Sequence, residues 1–326
     1  MEQTEKRKTP FLSLPLLKQS IQSNFWLWLV MALGSAGIFI IVNLVVGTRA
    51  IFTNIDMNNV QTYVNDEGLS WLQILGLLQA MGFSLSRIQT MSQIDLNSIL
   101  NELVYKITGV LLPMVYTMIA CNKLMAAQVG DGSMAYVLST PTSRRTVVRT
   151  QYVFLVGSLV AMYLIITTGA YLSGMVAYFI TAPENINFMT FTIRTLLYCA
   201  ASFAAIFGLG GICFGASCVF NKSNYSIAVG GGVCILSFIA CILGLFGNKV
   251  FVSVGIGVAE MNIFNYLTLF TLVDTESISS FAKEASGVYG GAMTLAFLWK
   301  MGVLFLIGAV FAFVGSRRFL RKDLPL

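Results

Sequence analysis

Lys123 to Arg149 reads KLMAAQVGDGSMAYVLSTPTSRRTVVR, a polar and basic island between two long apolar runs. Its residue types favour docking over bond-making. Gly130-Asp131-Gly132 breaks a helix, and Ser133 then predicts an N-cap, because its hydroxyl can accept a backbone N–H. The short helix that follows spans Met134–Ser139. Pro141 ends it, and Thr142 or Ser143 caps the next helix, which starts with Arg144, Arg145 and Arg149. Apolar Met134, Tyr136, Val137 and Leu138 would then lie on a ball-like helix suited to a partner's groove. The plainer alternative is an ordinary turn with arginines at a membrane edge.

No set of residues for covalent chemistry accompanies the island. Histidine is absent, which removes His–metal sites, His-dependent triads and histidine proton relays together. The six cysteines, Cys121, Cys199, Cys213, Cys218, Cys234 and Cys241, all fall in or at the ends of apolar runs and form no CxxC pair. They read as small buried hydrophobes, not as a zinc site or disulfide framework. Gly215-Ala216-Ser217-Cys218-Val219 lacks the second glycine of a nucleophile elbow. Asn221-Lys222-Ser223 lacks the glycine that precedes the lysine of a phosphate-binding loop. Neither a catalytic residue nor a metal ligand is assigned, and nucleotide hydrolysis is not expected of this chain alone.

Composition sets the surroundings. The chain is 56% hydrophobic and 10% charged, against roughly 25% charged in soluble domains. Its mean hydropathy is +0.79. About 20 apolar residues are needed to cross roughly 30 Å of hydrocarbon. Six runs qualify: Trp26–Val46, Ile107–Cys121 (short by its apolar core), Tyr152–Ile180, Thr195–Phe220, Ser226–Phe246 and Ala292–Gly315. The expected fold class is therefore an all-α integral membrane protein with six transmembrane helices. The first run starts late and lacks a small-residue cleavage site, so it reads as a retained span. Leu69–Phe83 and Phe251–Val273 read as re-entrant or interfacial. The former is short, and the latter carries Glu260 and Asn262.

Charge decides the orientation. With both termini cytoplasmic, 13 of the 20 basic residues but only Glu2, Glu5, Asp131 and Asp323 among the 14 acids lie inside. That is the positive-inside asymmetry. Counting Leu69–Phe83 as a span would move Arg144, Arg145 and Arg149 outside, so it is rejected. The expected organisation is a cytoplasmic segment 1–25, a six-span domain 26–316 and a basic tail 317–326. Outer loops cover 47–102, 181–194 and 247–291, and the cytoplasmic island covers 123–150. The net charge of +6 then reflects orientation against an anionic leaflet, not nucleic acid. For Arg317–Lys322, stop-transfer anchoring is preferred over polybasic lipid binding.

Three further features concern packing. Phe11, Leu12, Leu14, Leu16, Leu17 and Ile21, interleaved with Lys18, Gln19 and Gln22, predict an amphipathic interfacial helix ahead of the first span. Gly211 and Gly215 form a GxxxG in the fourth span, and Gly230 and Gly231 lie in a glycine triplet in the fifth. Packing within the chain is favoured over a dimer seam. Lys300, beside Trp299, is read as snorkelling to the outer interface in preference to serving as a substrate counter-charge.

The island also carries a resemblance. GSMAYVLSTPTSRR resembles the G-[ST]-x-x-x-x-L-x-[ST]-P-x-[ST]-R signature of ABC transporter permeases of the ABC-2 type. The matching positions are Gly132, Ser133, Leu138, Ser139, Thr140, Pro141, Ser143 and Arg144. The tail FLRKDLPL is similar to the basic ends of many such permeases. One position departs: Gln128 stands where many members have glutamate. The resemblance implies that the Met134–Ser139 helix is a cytoplasmic coupling helix, with an elbow helix at the N-terminus. It further implies an exporter in the plasma membrane, in which two permease copies, or this chain and a homologous partner, bind two ATP-binding subunits. ATP and Mg would reside on those subunits, with no cofactor on this chain. An apolar interior suits lipophilic, amphipathic or peptide-like cargo. An ATP-independent carrier or channel is the alternative, disfavoured by the lack of acids in the six cores.

Overall fold

The computed structural model describes residues 11–45, 109–140, 142–181, 187–245, 247, 258–286 and 295–322. All regular structure among them is helical. Six segments are long and apolar enough to cross a bilayer: Leu14–Leu44, Gly109–Gly130, Arg144–Ile180, Phe188–Val219, Ser223–Gly244 and Ala296–Arg321. These are the six expected runs with shifted ends. Leu69–Phe83 lies outside the described residues.

The first helix, α1 (Leu14–Val45), is continuous. The amphipathic stretch expected ahead of the span and the span itself therefore share one helix. Pro15 sits in the first turn, where a missing N–H costs nothing, and no glycine or proline interrupts the next 18 residues before Gly34. The polar start of α1 is stapled to α5 (Arg144–Thr181), the third spanning helix. The Ser13 amide donates to Thr150 Oγ1 at 3.1 Å, and Ser20 Oγ donates to Gln151 Oε1 at 2.8 Å. Farther along, Asn43 Nδ2 donates to the Ala170 carbonyl and to Ser173 Oγ. Polar side chains therefore hold the two helices together along their length.

The second span is α2 (Gly109–Leu124) followed by α3 (Ala126–Gly130), offset at Met125 where φ is −125° and ψ −68°. A short α4 (Ser133–Ser139) then leads to α5. The fourth span, α6 (Phe188–Val219), is the central helix; it packs on α2, α5, α7 (Ser223–Leu245) and α9 (Ala296–Arg321). Its glycines explain how. Gly208 faces the Leu304 carbonyl, Gly211 meets the Gly308 backbone, and Gly215 meets Phe311 and Gly315. The 3- and 4-residue spacing on both helices lets backbone lie on backbone, the close approach that small residues permit in lipid. Gly230 of α7 similarly faces Cys213 of α6, and Gly231 faces Met118 of α2. Gly211, Gly215, Gly230 and Gly231 each face another helix of the same chain. The six cysteines are buried and none is in a disulfide, with Cys213 and Cys234 sulfurs 3.4 Å apart.

Within Phe251–Val273, the described part (258–273) forms two 3₁₀ segments, Ala259–Tyr266 and Leu269–Leu272, instead of a spanning helix. They fold back on α7: Asn265 Nδ2 donates to the Gly244 carbonyl and Thr268 Oγ1 to the Ser237 carbonyl. Phe270 and Val273 are buried in the core. A further helix, α8 (Thr275–Ala285), covers the same end of the bundle. Tyr198 of α6 donates to the Thr275 carbonyl, and Phe281 packs on Phe297 of α9 with ring centroids 5.3 Å apart.

Asp274 caps α8 by accepting from the Ser277 amide, and it also pairs with Lys300 of α9. Lys300, read from the sequence as snorkelling beside Trp299, is thus tied across to another element. Burial alone would raise the Asp274 carboxyl. The hydrogen bonds from Lys300 and from the Ser277 amide and hydroxyl outweigh that and hold it below its usual value.

Two predictions follow from this packing. A methyl group at Gly211 would overlap the Gly308 carbonyl with no side chain able to yield, so Gly211→Ala should cost about 1–3 kcal/mol. Gly302 of α9 has open space at the same position, and Gly302→Ala should be neutral or stabilising by up to about 1 kcal/mol. Thermal unfolding of the purified chain in detergent distinguishes them. Because the folded Asp274 value is depressed, its contribution is present above the ordinary carboxylate range, about 3.9, and is lost as pH falls through the lower folded value. Asp274→Asn should therefore flatten the acid side of the curve of unfolding temperature against pH, below about pH 4.

Candidate functional site

Gly132 begins the site. Its φ of +73° places it in the left-handed region, where a side chain costs about 1–2 kcal/mol, and it serves as the N-cap of α4. The expected cap, Ser133, acts differently: its exposed hydroxyl donates back to the Gln128 carbonyl at 3.2 Å. Ser133 thus locks the turn to α3 and does not accept from α4. Gln128 itself is half-buried, and its Oε1 has no hydrogen-bond partner among the described residues.

Alpha-helical spacing then divides α4 into two faces. Met134 is 1% exposed, and Val137 and Leu138 pack half-buried against the same core, an i, i+3, i+4 stripe. On the other face Ser133, Ser139 and Tyr136 are open, Tyr136 being 81% exposed. The apolar residues expected to form one docking surface are therefore separated. Met134, Val137 and Leu138 fasten α4 to the bundle, and Tyr136 projects from it. Sequence reasoning missed this division because a seven-residue helix has too few turns to display an amphipathic period.

The exit from α4 is fixed by hydroxyls. Ser139 Oγ donates to the Tyr136 carbonyl at 2.8 Å, and Thr140 Oγ1 to that of Val137. Thr140 and Thr142 hydroxyls lie 2.9 Å apart. Pro141 lies outside the described residues. Ser143 caps α5, accepting from the Thr146 amide at 3.2 Å, as expected.

Arg144 connects this site to a segment distant in sequence. Its Nη1 donates to the Lys322 carbonyl at 2.9 Å. Lys322 Nζ in turn donates to the terminal carbonyls of α6, Val219 at 2.6 Å and Cys218 at 3.4 Å, a favourable place for a cation. The start of α5 and the ends of α6 and α9 are thereby joined. On the other side, Asn122 of α2 donates to Ser223 Oγ at the start of α7 (2.7 Å), and Gly130 packs against the Asn221 carbonyl. Lys123 Nζ reaches the Ser23 carbonyl of α1 at 2.6 Å. Lys322, Asn122 and Lys123 were not singled out as site residues, since their partners lie about 100 residues or more away and leave no local signal.

The arrangement offers a projection, α4, packed on α3 and held in the core by Met134, beside side-chain links that join the spanning helices at this end. Met134→Ala should cost about 2–5 kcal/mol in thermal unfolding, as buried methionine truncations do. Tyr136→Ala should fall within about 0.5 kcal/mol of the unaltered chain. Comparison with protein-family models, curated proteins and solved structures found no match to this chain.

Proposed function

We propose that the chain is the transmembrane subunit of an ABC exporter, driven by ATP hydrolysis on a separate subunit that docks on α4. The observation that carries this reading is an exposed aromatic side chain on a helix clamped between two spanning segments. The resemblance of residues 132–144 to the ABC-2 permease signature supports it, as does the number of spanning helices. The proposed orientation puts both termini and α4 in the cytoplasm, following the charge asymmetry. The assembly contains two ATP-binding subunits, with their ATP and Mg, and two permeases, identical or homologous. The cargo class is lipophilic, amphipathic or peptide-like. In this reading the N-terminal part of α1 runs at the membrane surface as the start of the first span.

In this reading the two faces of α4 give the signature residues separate roles. Gly132 and Ser133 set the entry angle, and Met134, Val137 and Leu138 transmit displacement to the bundle. Tyr136 enters the groove of the ATP-binding subunit, while Ser139 and Thr140 shape the exit. Arg144 carries the displacement to α6 and α9 through Lys322. A push on Tyr136 would thus reach several spanning helices at once.

Tyr136→Asp is the informative substitution, since it leaves the buried face intact and places a charge in the proposed interface. Aromatic anchors at interface centres commonly contribute 2 kcal/mol or more, so capture of the ATP-binding subunit should fall roughly 30-fold or further. Unfolding temperature should not change. Full ATPase capture by folded Tyr136→Asp protein, or transport by the chain without ATP, would overturn the reading and favour an independent carrier or channel.

A further inference from the structure

The last turns of α9, which the sequence alone reads as a stop-transfer anchor, carry a cationic feature that coupling uses only at Lys322. Val314, Arg317, Arg318, Arg321 and Lys322 line an open cavity of about 520 Å³, within the range of small-molecule sites. Four of the five lining residues are cations, and no described acidic residue lines the cavity. Lys322 is committed to the α6 carbonyls, and Arg317 lies over the Phe313 ring at 4.6 Å. Arg318 and Arg321 present their guanidinium groups one turn apart on an exposed face. Such planar donors match phosphate oxygens in pairs.

Below the cations the same face is apolar. Leu306, Val310, Phe313 and Val314 are 65%, 48%, 57% and 57% exposed, at spacings that continue into Arg317, Arg318 and Arg321. Leu306 to Val314 covers about 12 Å along the helix axis. An exposed apolar track of that length, ending in a cationic hollow at the membrane boundary, is matched by one kind of molecule with both parts. An acidic protein surface would answer the arginines but not the track.

We propose that the cavity formed by Arg317, Arg318, Arg321 and Lys322 at the end of α9 binds the phosphate of an anionic phospholipid, whose acyl chain lies along Leu306, Val310 and Val314. The leaflet, cytoplasmic, rests on the orientation proposed above; the site itself does not. Because Lys322 also accepts from Arg144 and caps α6, a bound headgroup would sit beside the link between α5, α6 and α9.

The test uses the full chain in mild detergent with three probes: dioleoyl phosphatidylglycerol, dioleoyl phosphatidylcholine and inorganic phosphate. Native mass spectrometry should retain phosphatidylglycerol several-fold over phosphatidylcholine, and phosphatidylglycerol should raise the unfolding temperature. Inorganic phosphate should do neither at the same concentration. Arg318→Gln/Arg321→Gln should abolish the preference, and Arg318→Lys/Arg321→Lys should keep much of it. If the glutamine pair fails to fold, the three probes on the unaltered chain and the lysine pair decide the matter. Equal retention of both lipids would overturn the proposal, as would protection by phosphate alone. So would a folded glutamine pair that keeps the lipid preference, or one that loses ATP-binding-subunit capture with lipid retention unchanged, which would mark a protein-docking surface. Failure of lipid retention leaves Tyr136-dependent capture untouched, so the two readings fail separately.

Discussion

Helices α6 and α9 meet backbone to backbone at Gly211–Gly308 and Gly215–Gly315, and the remaining architecture depends on that contact. In lipid there is no hydrophobic gain in bringing two apolar helices together, so association rests on close van der Waals packing and on hydrogen bonds between helices. Gly208, Gly211 and Gly215 on one helix and Gly308 and Gly315 on the other supply the first. With α9 drawn onto one side of it, α6 has its other faces free for α2, α5 and α7, and becomes the buried axis of the bundle. The α1–α5 pair uses the second means, through Ser20–Gln151 and Asn43–Ser173.

Both ends of the α6–α9 pair are closed, by different chemistry. At one end Lys322 binds the terminal carbonyls of α6 and accepts from Arg144. At the other, Lys300 of α9 is paired with Asp274, whose carboxylate also caps α8. A rigid pair tied at both ends can transmit a displacement along its length. That property suits a subunit whose proposed work is to move in response to a partner, and it places the polar interactions where water is near, sparing the hydrocarbon core.

Several elements were legible before any coordinates. The spans follow from run length and hydropathy, because 20 apolar residues have one economical conformation in hydrocarbon. The helix at residues 133–139 follows from Gly132 and Pro141 as punctuation, and the Ser143 cap from local hydrogen-bonding chemistry. The role of Ser133 did not follow. Whether its hydroxyl turns forward to α4 or back to Gln128 depends on the left-handed turn at Gly132, not on residue type. Lys300 likewise read as a lone charge at a helix end, because its partner Asp274 is 26 residues away and belongs to a different element.

Sequence by itself determined the membrane class of this protein, the six long apolar helices found among the described residues, and the basic island and tail, since those properties depend on composition summed over local windows. It also marked Gly211, Gly215, Gly230 and Gly231 as able to accept close neighbours, but not which ones. Tertiary structure decided that Gly211 meets Gly308, that Met134 faces inward while Tyr136 projects, and that Arg144 and Lys322 act together. The physical reason is range. Hydropathy and capping act over one or two turns, whereas the face a short helix presents and the partner a cation finds are set by segments brought together from across the chain.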